Sequence, residues 1–212
     1  VKTEQLIDLL ARGAGPAPRG VVARRLTRAG LAGVALSALL ACVLIGPLPA
    51  STYAAPSVWL KFIYTGSLAL AAALLAARAA RPVARLRLPQ CVLSCVLAAM
   101  ALAAFAVTAM STPPGERWSA VMGDTWRVCP WAVLALSLPA LGLSLWAMRS
   151  LAPTQPRWAG GSAGLLAGAL GAFGYSMACP ESAPAFVAVW YTLGVGLTGL
   201  LGAVVGPKVL RW

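Results

Sequence analysis

The stretch RRLTRAGLAGVALSALLACVLIGPL, residues 24–48, carries three arginines in its first five positions and no charged residue after them. An α-helix needs roughly 20 mostly apolar residues to cross a hydrocarbon core about 30 Å thick. Residues 29–48 supply that run, and the arginines before it mark the end that stays in the cytoplasm. Five further stretches meet the same requirement: 57–77, 91–110, 130–148, 158–178 and 184–205. A cleaved signal peptide is not expected, because a 28-residue segment with an acidic start precedes the first span and five spans follow it. The expected fold is an all-α membrane protein, a six-transmembrane-helix bundle with both termini cytoplasmic.

The whole composition agrees. Of 212 residues, 60% are hydrophobic and 10% charged, with mean hydropathy +0.81. A soluble surface needs far more charge, near 25%, so a soluble enzyme is excluded, as is a disordered tail. Five Cys are too few for a disulfide-dense secreted domain. No His is present, which removes His-based acid–base catalysis, Ser–His triads and His-containing metal sites. No enzyme activity and no cofactor are expected.

A net charge of +12 would suit nucleic acid, but its distribution follows the membrane, and no direct nucleic-acid contact is expected. Lys2, Arg12, Arg19, Arg24, Arg25 and Arg28 precede the first span. Arg78, Arg81, Arg85 and Arg87 lie between the second and third, Arg149 and Arg157 between the fourth and fifth, and Lys208 and Arg211 after the sixth. The opposite loops hold Arg117 and Arg127 beside Glu116, Asp124 and Glu181. The domain organisation is therefore a cytoplasmic arm (1–28), a six-span membrane domain (29–206) and a basic cytoplasmic C-terminus (207–212).

Lys61 is the one ionisable residue inside a span, a turn from its outer end. It reads as an interfacial anchor beside Trp59 whose amino group snorkels to the surface. With no further charged pathway, a transporter is disfavoured. Gly160, Gly164 and Gly168 form one row of small residues, and Gly194, Thr198, Gly202 and Gly206 another. Such rows let helices approach closely; packing inside the bundle is preferred to a homo-oligomer face, which stays possible.

In the arm, Thr3 can cap a helix with Glu4 and Asp8 near its start. Leu6, Ile7, Leu9 and Leu10 share one broad stripe, and Gly13, Gly15, Pro16 and Pro18 end the helix. An apolar face outside the membrane fits the groove of a partner, or the lipid surface.

Of the five cysteines, Cys42, Cys91 and Cys95 read as core packing. Cys129 and Cys179 each precede a Pro at the outer end of a span, at similar depth. Two such thiols can form a disulfide, react with an oxidant, bind a soft metal or pack inertly. Asp124, Arg127 and Glu181 surround them in the sequence.

Ordered motifs along the whole chain resemble those of the NrsF-like family of bacterial membrane anti-sigma factors. They are KTEQLIDLL (2–10), WLKF (59–62), WRVCP (126–130), SLPA (137–140), RSLAPT (149–154), CPES (179–182) with FVAVWY (186–191), and GPKVLRW (206–212). Val1 fits a start codon read as Val. The resemblance implies a bacterial inner-membrane protein that sequesters an extracytoplasmic-function sigma factor. It implies that a cysteine pair answers metal or oxidative stress, and the pair falls on Cys129 and Cys179. The sigma-binding candidates are Leu6, Ile7, Leu9 and Leu10 in the arm, with Arg85 and Arg87 in the 78–87 loop. The alternative is a quinone-linked membrane thiol oxidoreductase, against which stands the lack of a second outer cysteine pair.

Overall fold

A computed structural model describes residues 3–13, 20–81, 85–151 and 153–211. The expectations placed on Val1, Lys2, Gly15, Pro16, Pro18, Arg19, Ala152 and Trp212, and on the side chain of Arg12, lie outside the described residues. Within them the chain is helical, without strands.

A short helix α1 (Thr3–Gly13) is followed by α2 (Val21–Leu44), α3 (Pro56–Ala79) and α4 (Arg87–Ser111). Then come the single-turn-and-a-half α5 (Arg117–Met122), α6 (Cys129–Arg149), α7 (Pro156–Tyr175) and α8 (Pro184–Val209). Helix α8 widens into a π-turn over Val187–Tyr191. Proline opens α3, α7 and α8 and sits at the second position of α6, where its missing N–H leaves no helical bond unmade.

Helices α2, α3, α4, α6 and α8 are long and apolar enough to cross a membrane. At 20 residues α7 is shorter, and six glycines dilute its apolar character. It is nevertheless the centre of the bundle, packed on α2, α3, α6 and α8. The glycines explain how. A Cβ on Gly168 would meet Val195 Cα of α8 at 2.9 Å, one on Gly171 would meet Ser137 Cα of α6 at 2.9 Å, and one on Gly174 would meet the backbone nitrogen of Ala38 in α2 at 2.8 Å. Three faces of one helix thus touch neighbouring backbone, which only small residues permit. Gly160 and Gly206 face each other across the α7–α8 contact, as do Gly164 and Gly202, so both small-residue rows pack inside the bundle. Gly194 turns instead to Val133 of α6.

Helix α4 lies outermost, with only Pro89, Met100 and Ala104 buried. Cys91 and Cys95 are exposed on it, not packed in a core as expected. Cysteine is small and weakly polar, and a hydrocarbon-facing surface accepts it as readily as an interior does. Cys42 is half-buried.

Helix ends depart from the hydropathy windows at two places. Helix α2 begins at Val21 rather than near 29, because Arg24, Arg25 and Arg28 are good helix formers and the helix extends beyond the apolar stretch. It ends at Leu44 rather than near 48, because Gly46 takes a left-handed φ of 98° and Pro47 follows.

The long helices alternate in direction, so the bundle has two unlike ends. At one, Leu26, Ala79, Met148, Ala159 and Leu210 form a core rimmed by exposed Arg24, Arg25, Arg28, Arg78, Arg85, Arg87 and Arg149. At the other, a second core contains Cys129, Cys179, Tyr175, Phe186 and Tyr191.

Candidate functional site, a buried cysteine pair with a buried lysine

Cys129 is the first residue of α6, and its N–H bonds Thr125 O at 2.9 Å. Cys179 closes the turn that follows α7, with its N–H on Tyr175 O at 2.9 Å, and Pro180 prevents further helix. These two local structures bring both thiols into one apolar cluster, near enough for charge on either to act on the other. Both are free thiols, and both have 0% exposure. The pair is therefore a floor beneath a cover, not an open surface.

Lys61 contributes what the sequence reading did not expect. It is 1% exposed and points into the bundle, where Nζ donates to the Cys179 carbonyl at 2.8 Å. It does not snorkel to the surface. Its electrostatic neighbours are Cys179, Glu181 and Cys129. Thr65, one turn on, returns a bond to Lys61 O at 2.8 Å. The reason lies in the face it shares: Lys61, Tyr64, Thr65 and Leu68 are buried, whereas Trp59, Ile63 and Leu70 are exposed. In a membrane-type bundle the large apolar side chains turn outward, and polar ones find partners inside.

The cover is built from the 112–128 segment and the start of α8. Glu181 accepts the Asp124 backbone N–H at 2.8 Å. Trp190 Nε1 donates to Val121 O at 2.9 Å, and its ring lies 5.4 Å from that of Trp126. Arg127 sits over the Trp126 ring at 5.1 Å rather than on a thiol, and Lys61 is the basic side chain that reaches the pair through the Cys179 carbonyl. Gly123 lies beneath, with φ 57° and ψ −174°, a conformation essentially restricted to glycine. A Cβ there would meet Phe186 Cδ2 at 2.6 Å and Glu181 Cδ at 3.0 Å. Two tyrosines complete the lining: Tyr175 and Tyr191 both lie beside Cys179. The Tyr191 hydroxyl is buried and makes no hydrogen bond of regular geometry.

Chemically, the pair offers two sulfurs, and among the described residues no group of three or more His, Cys, Asp and Glu is placed to hold a metal. Glu181, the nearest carboxylate, is already engaged with the cover.

The family model described as negative regulator of sigma F, NrsF, matches residues 10–212. The chain belongs to the NrsF family. Over 214 residues and 100% of both chains it is 38% identical to a protein of Caulobacter vibrioides (strain NA1000 / CB15N) named anti-sigma-F factor NrsF. It is 37% identical over 216 residues, again end to end, to one of Azospira oryzae named probable anti-sigma-F factor NrsF. No solved structure matches it.

In this NrsF-family chain the other sequence-predicted residues lie apart from the cysteines. Leu6, Ile7, Leu9 and Leu10 are all exposed on α1, between 50% and 66%, so its apolar stripe is not used in packing. Arg85 and Arg87 are exposed at the start of α4, at the basic end. Sequence reading singles out Lys61 but turns it outward, and it misses Tyr175, Tyr191 and the Gly123 cover. The available signal was the i, i+3, i+4 set Lys61, Tyr64 and Thr65, a polar stripe in an otherwise apolar helix.

Proposed function

We propose that this protein is a multi-pass anti-sigma factor of the bacterial inner membrane. It crosses the bilayer six times, α7 included, with the basic end and both termini in the cytoplasm. The observation that carries this reading is the end-to-end match to relatives named anti-sigma-F factors, joined to the concentration of arginines at the end opposite the cysteines, with only Arg117 and Arg127 among the described residues at the cysteine end.

At the basic end, α1 presents Leu6, Ile7, Leu9 and Leu10 to an extracytoplasmic-function sigma factor, assisted by Arg85 and Arg87. An amphipathic helix on a short tether is a common way to occupy a partner's groove. Bound at the membrane, the sigma factor is kept from RNA polymerase. Release begins at Cys129 and Cys179. A hydroperoxide takes two electrons and two protons from the thiols, leaving a disulfide, water and an alcohol. A soft metal cation instead displaces two protons and is held by both sulfurs. Either event requires the cover to open, and either changes the relation between the start of α6 and the end of α7. Both helices run to the basic end, and close packing makes them move as bodies instead of deforming smoothly. A hundredfold loss of sigma affinity corresponds to about 2.7 kcal/mol of difference between the two states.

The test is a tagged pull-down from solubilised membranes with and without oxidant or metal. A sigma factor recovered in stoichiometric amount at rest and lost on stress is expected. Recovery of none in either condition contradicts the reading.

A further inference from the structure

At the basic end, the crossing of α2 and α6 leaves a groove of about 620 Å³. It is lined by Arg25, Arg28 and Arg149 and, beside them on the same groove, by Leu143 and Trp146. Among the described residues no carboxylate lines it. The Arg25 guanidinium bonds the Ser150 hydroxyl, a neutral partner that does not offset its charge. Ser150 in turn donates to Ala147 O at 3.1 Å, so the serine fixes the arginine over the groove.

We propose that this groove binds one anionic phospholipid, with the phosphate among Arg25, Arg28 and Arg149 and an acyl chain on Leu143 and Trp146. The arrangement matches a lipid in both halves. Three guanidinium groups suit a phosphodiester, with which arginine forms forked hydrogen bonds. Trp146 is 75% exposed, on a helix apolar enough to cross a membrane; a soluble anion leaves that half unfilled. An acidic protein surface would satisfy the arginines alone and, like a soluble anion, leave Leu143 and Trp146 uncovered. Basic pockets between membrane helices on the cytoplasmic side are where anionic headgroups bind. The inference rests on the membrane reading above but not on which end faces the cytosol, since binding is measured on purified protein.

The full-length protein in a neutral detergent is titrated with phosphatidylglycerol, phosphatidylcholine and glycerol phosphate, and binding is read by native mass spectrometry and by thermal unfolding. Phosphatidylglycerol is expected to bind and stabilise; the neutral lipid and the soluble headgroup are not. Replacing Arg25, Arg28 and Arg149 together by Gln is expected to weaken binding about a hundredfold, on the basis of roughly fivefold per arginine. The loop variant R78Q/R81Q/R85Q removes the same charge elsewhere and is expected to bind as before. The single variant R149Q, expected to bind several-fold more weakly, gives the reading should the triple variant not fold. Equal binding of glycerol phosphate, equal loss in the loop variant, or unchanged lipid binding in both groove variants overturns the proposal. So does a groove variant that keeps its lipid and loses the sigma factor in the pull-down.

Discussion

Substituting Gly123→Ala tests whether the cover over the cysteines is a separable part of the fold. Gly123 holds φ 57° and ψ −174°, and forcing an L-residue into such a conformation costs about 1–3 kcal/mol. The added methyl also meets Phe186 Cδ2 at 2.6 Å, a contact that something must yield to relieve. The lowest-cost response is to lift the 123–128 turn, breaking the Glu181–Asp124 bond while leaving α6 and α7 packed. Both thiols are fully buried when the cover is closed, so a thiol reagent reacts in proportion to the open population when closing is fast. A cost of about 1–3 kcal/mol then raises the labelling rate roughly 5- to 150-fold. The assay is the rate of maleimide modification of Cys129 and Cys179 in nanodiscs, with Cys42, Cys91 and Cys95 replaced by Ser. Gly115→Ala is the control, since a Cβ there meets nothing within 4 Å. Labelling of the folded Gly123→Ala protein at the unsubstituted rate would refute this account of the cover.

Three further outcomes are expected. Gly164→Val places a side chain against backbone, its Cβ 2.9 Å from Gly199 Cα, and overpacking of about 1–3 kcal/mol or more lowers the unfolding temperature in detergent; Gly196→Ala, whose Cβ meets nothing within 4 Å, does not. Lys61→Met leaves the Cys179 carbonyl without its 2.8 Å donor, at a cost of about 1–3 kcal/mol, read as reduced thermal stability and faster labelling of Cys179; unchanged values contradict the role given to Lys61. The pair Leu6→Asp and Leu9→Asp, both on an exposed stripe, abolishes sigma recovery in the pull-down without changing the unfolding temperature; undiminished recovery removes α1 from the interface.

Much of the bundle was legible in the sequence, because the requirement to cross hydrocarbon is written in composition alone. The core of each long helix falls where its apolar window lies. The ends do not, since Arg24, Arg25 and Arg28 continue a helix outside the apolar window, and Gly46 stops one inside it. Helix α7 shows the converse limit. Its glycines lower its hydropathy for the same reason that they make it central, namely that neighbouring backbones touch it on three sides. Their position before prolines singles out Cys129 and Cys179 in the sequence, and the structure brings them into one cluster. That cluster's depth, its cover and the inward turn of Lys61 depend on which face of α3 meets α7. One charged residue in an apolar window does not reveal that face; the companion residues Tyr64 and Thr65 do.

The most direct measurement is the affinity of the purified protein in nanodiscs for its sigma factor, before and after oxidation of the Cys129–Cys179 pair. About a hundredfold weakening on oxidation, absent from Cys129→Ser and Cys179→Ser proteins that still bind at rest, is the expected result. Equal affinity in both redox states, with the disulfide verified by mass, contradicts the coupling between the two ends of the bundle.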